Sequence, residues 1–220
     1  VDEEKGGQKS DTGASYMHKV LSHSRRHWQR REVLRDYRFY VLLPVILAPS
    51  FISTGLFFHQ NQLASDKGWL LLQWAGTFPA LAVASVVGAI VAGFVTDRIG
   101  AVRLLPYVLP PLGLACFVLS QSDSIWIAWS FMALLGVTTG TLQTFFGAFW
   151  AEAYGTRHLG GIRALATALM VLSSALSPVI MGLLIDAHVS MNVIALACAA
   201  YCIFGTAVAV LSSRIYQKTL

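Results

Sequence analysis

Apolar residues run along this chain in six long blocks, separated by short clusters of charge, glycine and proline. A helix rises ~1.5 Å per residue and the hydrocarbon core of a bilayer is ~30 Å thick, so about 20 such residues suffice for one crossing. The pattern predicts spans over residues 39–63, 69–95, 104–120, 125–150, 162–185 and 191–213. The expected fold class is an all-α membrane protein with six transmembrane helices. The connections between blocks are short and leave no room for a separate soluble domain.

Several blocks carry residues that disturb a helix. Pro44, Pro49 and Gly55 lie in the first, Pro79 in the second, Pro110 and Pro111 in the third, and Pro178 near the middle of the fifth. Proline withholds an N–H and crowds the preceding turn, so bends or breaks are expected in the first span. Such irregularity at membrane depth survives only where protein or a water-filled cavity supplies the missing partners. The second span also carries Ser85, Ala89 and Gly93 at four-residue spacing, and the fourth carries Gly136 and Gly140. Small residues in this arrangement predict close helix packing, which in lipid rests on van der Waals fit.

Composition agrees with the membrane reading. Hydrophobic residues make up 55% of the 220 and charged residues 12%, about half the ~25% charge of an ordinary soluble domain. Residues 1–24 are polar and without apolar periodicity, which predicts a flexible leader. Residues 25–38 hold six arginines interleaved with Trp28, Val33, Leu34 and Tyr37. They read equally as a helix lying at an anionic membrane surface or as a basic flank that fixes topology.

The formal charge of +5 is compatible with nucleic-acid binding, but the chain lacks a DNA-binding motif or an aromatic-basic groove. Membrane lipid, not nucleic acid, is therefore the expected partner. Of the 16 lysines and arginines, all but Lys67 fall in the leader, in the flank or after spans two, four and six. Loops on the cytoplasmic side collect such residues, so both termini are expected there. The three cysteines, Cys116, Cys198 and Cys202, sit in apolar runs at spacings that match no metal site, and neither metal nor cofactor is expected.

Candidate chemistry concentrates in a few places. Between spans two and three stand Gly93, Asp97, Arg98, Gly100 and Arg103, and on the same side Glu152 and Arg157 follow span four. Carboxylates and guanidiniums at an interface form charge-assisted bonds that can latch helix ends together. Solvated charges contributing ~0 to 1 kcal/mol per pair are the plainer alternative. No Asp, Glu, Lys or Arg lies well inside any predicted span, so a proton relay is expected outside this chain. His59 is the candidate proton site, with a polar cap as the commoner role for a histidine in that place. Gln143, on one helical face with Gly136, Gly140 and Gly147, is the leading substrate contact. Ser53, Thr54, Phe58 and Ser174 are further cavity candidates, although helix hydroxyls often bond their own backbone carbonyls.

The second and fifth spans end alike, Gly93-x-x-x-Asp97 and Gly182-x-x-x-Asp186, each as the middle member of a group of three. This predicts an inverted three-plus-three repeat. The fuller pattern from Gly93 to Arg103, G-x-x-x-D-R-x-G-x-x-R, resembles the signature loop of the major facilitator superfamily, which joins the second and third helices of each six-helix half. The stretch from Trp150 to Arg163 is similar to the acidic end of helix ten and the following loop. The basic flank, Phe57-Phe58-His59-Gln60 and Gly68-Trp69 resemble helix seven and the outer loop of bacterial monocarboxylate-transporter-like members. Ala101 stands where that loop usually has arginine, and Ser177 where glycine commonly precedes the helix-eleven proline.

The resemblance covers nearly everything after residue 24. It implies the C-terminal half, helices seven to twelve, of a secondary transporter in the cell (inner) membrane, with the leader as a remnant of the central loop. Such a half would work with an N-terminal six-helix half or a second copy and move a small solute, such as a monocarboxylate, by alternating access. No enzymatic activity is expected, since neither a G-x-S-x-G elbow nor an H-E-x-x-H pair occurs to support an intramembrane enzyme. A non-transporting receptor or assembly subunit on the same half-fold is the alternative.

Overall fold

The computed structural model describes residues 28–217, all-helical apart from short turns; the predicted leader lies outside the described residues. Six helices are long and apolar enough to cross a membrane. Their main helices are α1 (Tyr37–Phe58), α2 (Phe78–Ile99, in the span Leu71–Ile99), α3 (Pro110–Gln121, in the span Ala101–Gln121), α4 (Ile125–Tyr154), α5 (Leu159–Asp186) and α6 (Met191–Gln217). Short helices extend two of them: Leu71–Ala75 leads into α2, and Ala101–Leu104 with a 3₁₀ turn at Leu105–Tyr107 leads into α3.

The boundaries correct the sequence reading in instructive places. The first span ends at Phe58 rather than residue 63, and a separate short helix, Gln60–Asp66, follows. Neither Pro44 nor Pro49 breaks α1, which is continuous through both. Packing against α5 and α6 holds it, and the Pro44 carbonyl accepts a hydrogen bond from the Tyr201 hydroxyl at 3.2 Å. In the second span the interruption falls at Gly76 and Thr77, so Pro79 sits in the first turn of α2, where its missing N–H costs nothing. The fifth span begins at Leu159, three residues earlier than expected.

Packing follows a simple order. α2 lies on α4, α4 on α3, α3 on α6, α6 on α1, and α1 on α5. Exchanging the first three helices for the last three, one for four, two for five and three for six, maps this series onto itself in reverse. Partners three places apart in an alternating bundle run in opposite directions, so the packing agrees with an inverted repeat. α2 and α5, at the two ends of the series, are the least buried of the six.

The two outer pairs are joined by different means. On α4, Gly136 and Gly140 bring the α2 backbone so close that an added Cβ at Gly140 would stand 2.7 Å from the Ala89 nitrogen and overlap the Ser85 carbonyl. Thr144 adds a hydrogen bond to Ala89 O at 3.2 Å. The small-residue positions singled out in spans two and four thus meet each other. Between α5 and α1, hydroxyls replace glycines: Ser173 donates to Leu47 O at 3.4 Å, and Ser177 to Phe51 O.

At the end of the bundle opposite Arg98 and Arg157, Lys67 ties two connections together. Its side chain is only 1% exposed, donates to Ser122 O at 2.8 Å and lies 3.0 Å from Asp123 Oδ1. Trp69 donates to Asp123 O, and Trp74 stacks between Trp69 and Phe131 with centroids 5.8 and 6.1 Å away. The carboxylate of Asp123 is largely exposed, so most of the stabilisation comes from the charged hydrogen bond to the buried end of Lys67. Lys67→Met is expected to lower stability by about 2 kcal/mol, read as a lower detergent-denaturation midpoint; an unchanged midpoint would show that the clamp is ornamental.

Candidate functional site

The packing order leaves a cleft of about 610 Å³ between the α2–α4 pair and the α1–α5 pair. Each helix contributes one face at helical spacing: Ser50, Ser53 and Phe57 from α1, Thr139, Leu142, Gln143, Phe146 and Trp150 from α4, and Arg163, Ala166, Thr167 and Met170 from α5. α2 adds Phe78 and Leu81. The volume falls within the ~300 to 1,000 Å³ typical of small-molecule sites.

Polarity changes along the cleft. At the Lys67 end Phe57 and Phe78 stack with centroids 5.9 Å apart and close the gap between α1 and α2. Gln143 lies eleven residues before the end of α4, ~17 Å along the helix axis and near the middle of a ~30 Å hydrocarbon layer. Toward the other end Trp150 and Phe146 stack at 6.3 Å, and Arg163 projects from the second turn of α5. Of the cleft-lining residues only Arg163 is charged, and among the described residues it forms no ion pair.

The predicted cavity residues divide accordingly. Gln143 and Ser53 line the cleft, whereas Thr54, Phe58 and Ser174 do not. Ser174 bonds back to Val171 O at 2.8 Å, and Phe58 is largely exposed with its ring edge against His59 at 5.3 Å. The sequence reading counts Arg163 among the basic residues that follow span four and does not single it out as a cavity residue. The adjacent Gly160 and Gly161 disguised the start of α5, but Arg163, Ala166, Thr167 and Met170 keep an i, i+3, i+4, i+7 spacing that marks one helix face.

His59 Nε2 lies 3.0 Å from Pro178 O. A carbonyl can only accept, so Nε2 carries the proton and bridges α1 to α5. A second proton would have to enter at Nδ1.

At the basic end, α2 stops at Ile99 and the chain turns through Gly100 at φ +84°, ψ 154°, a conformation open essentially to glycine alone. Glu152 reaches from α4 into this turn and accepts the Ala101 N–H at 2.7 Å. Gly93, on α2, faces Thr144 of α4, whose Cγ2 lies 4.0 Å from an added Cβ. The carboxylate therefore caps the start of the next span through the backbone. Asp97, Arg98, Arg103 and Arg157 are exposed and form no ion pair among the described residues.

Gly100→Ala meets two obstacles, the positive φ and a Cβ 3.0 Å from Glu152 Oε1. It is expected to cost about 2 kcal/mol, and Glu152→Ala a similar amount through the lost charged hydrogen bond. Both act on one contact, so the double variant should be less destabilised than the sum of the two. Additive losses in a denaturation series would contradict this coupling.

A scan against models of known protein families finds no match for this chain, and a search of curated proteins finds no similar sequence.

Proposed function

We propose that this chain is the C-terminal half of a major-facilitator-type secondary transporter that moves a small organic anion, such as a monocarboxylate, by alternating access. The observation that carries the reading is the cleft, bounded by four of six apolar helices, polar near its middle and lined toward one end by the cation Arg163. Inverted repeats with a site near the bilayer midplane are a common plan for such transporters. Arg163, exposed near the basic end of α5, offers its guanidinium fork to an anionic solute entering the cleft. Gln143 and Ser53 supply neutral hydrogen bonds to the same solute.

In this reading the open side of the cleft faces an N-terminal six-helix half or a second copy of the chain. Asp97, Arg98, Arg103 and Arg157 are left to engage that partner and to bias its rocking. The excess of basic residues at one end supports a cytoplasmic side for both termini, and the reading takes the cell inner membrane as the host bilayer. His59, bonded to Pro178 O, acts as a polar joint between the end of α1 and α5.

The test is uptake of labelled monocarboxylates and of neutral and cationic solutes by liposomes holding the chain, alone and with a six-helix N-terminal half. Uptake above protein-free vesicles that saturates with solute supports the reading. If no solute of any charge crosses under either condition, it fails.

A further inference from the structure

We propose that the turn between α4 and α5, together with the basic segment before α1, forms a binding site for the headgroup of an anionic phospholipid. The segment does not trail away from the bundle. Trp28 donates its backbone N–H to Tyr154 O at 3.1 Å and sets its ring edge-on to Tyr154 at 5.7 Å, while Val33 is completely buried. These contacts bring Arg30 and Arg31 beside Arg157 and His158, more than 120 residues away in the chain. The four side chains surround a recess of about 640 Å³ whose floor includes Gly160 and Gly161.

Among the described residues no carboxylate forms an ion pair with the arginines of this recess. Arg30, Arg31 and Arg157 are exposed. Glu32 accepts the Gln29 N–H at 2.7 Å, and Asp36 caps α1 through the Arg38 N–H while lying 3.4 Å from Arg38 Nε. Three guanidiniums around one hollow match a phosphate, whose oxygens accept their paired N–H donors.

Position selects the source of that phosphate. The recess sits where α1 and α5 begin, at the ends of two apolar spans and so at the level of lipid headgroups. That segment and the first turn of α1 expose Leu34, Tyr37 and Tyr40, side chains suited to the boundary between headgroup and acyl chain. A scattered basic flank would attract anionic lipid only as a diffuse cloud; a recess built from two distant stretches holds one headgroup in place.

The experiment places the 220-residue chain in phosphatidylcholine nanodiscs doped with labelled phosphatidylglycerol and measures how much of the label stays with the protein through detergent exchange. Arg157→Gln and Arg31→Gln are each expected to weaken retention about fivefold, the equivalent of ~1 kcal/mol per basic residue near the surface. Arg157→Lys should keep most of it. Arg214→Gln, an exposed arginine at the same end of the bundle on α6, should leave it unchanged. Because the substituted arginines are exposed, circular dichroism should report the same helix content for every variant.

Equal losses for Arg214→Gln and Arg157→Gln would reduce the site to general surface charge and overturn the proposal. So would displacement of the lipid by millimolar inorganic phosphate, which would make the recess a site for a soluble anion. The outcome does not depend on whether the chain transports anything.

Discussion

Gly140→Ala should be the most damaging single-methyl change in the chain, lowering stability by about 2 to 4 kcal/mol. The added Cβ has no side chain to push aside. It would overlap the Ser85 carbonyl and stand 2.7 Å from the Ala89 nitrogen, so the α2 and α4 backbones must separate. Separation would also loosen the neighbouring approach at Gly136, where an added Cβ lies 2.8 Å from Ala84 Cβ, and the Thr144 bond to Ala89 O. Dispersion falls steeply with such gaps, and in lipid no hydrophobic transfer between helices compensates for it.

Gly147→Ala, two turns further along the same helix, is the matched control. Nothing lies within 4 Å of its added Cβ, so the higher helix propensity of alanine should leave stability unchanged or raise it by up to about 1 kcal/mol. Opposite signs for one substitution at two positions of α4 would be read from denaturation midpoints in a mild detergent. Equal effects at both sites would mean that the α2–α4 contact is not the tight joint described above.

The second large effect is functional. If the cleft takes an organic anion, Arg163→Gln should reduce its uptake by tenfold or more, since a hydrogen bond to a charged partner contributes about 1.5 to 3 kcal/mol. Arg163→Lys keeps the charge but loses the planar fork and should fall between the two. Gln143→Ala removes a neutral contact worth about 1 kcal/mol and should cost only about fivefold. The comparison is made with one labelled monocarboxylate and its neutral amide in the same liposomes. If Arg163→Gln carries the carboxylate at the unaltered rate, or if the amide is moved equally well before substitution, the cation has no part in recognition.

Much of this architecture is local in origin and so is legible along the chain. Six apolar blocks of membrane-spanning length, short connections, the Ser85–Ala89 and Gly136–Gly140 steps and the glycine at position 100 are properties of one helix or one turn. Each is governed by rise per residue, hydropathy or steric freedom. The span order and the all-helical class follow from these alone. Span ends are less legible: Gly160 and Gly161 look like loop and hide the first turn of α5, and residues 60–66 look continuous with the first span although they form a separate short helix.

Tertiary packing decided what each polar group does. Hydroxyls of one chemical type on α5 separate into Ser174, which bonds its own helix, and Ser173 and Ser177, which bond α1. Ser53 enters the cleft and the adjacent Thr54 does not. Glu152 caps a backbone N–H across two helices, and Lys67, the one lysine or arginine among the described residues at its end of the bundle, is a buried clamp. These outcomes depend on which helix stands beside which, and at what rotation. Residues 50 to 130 positions apart must meet, and nothing in the spacing of a single span sets the angle between two of them.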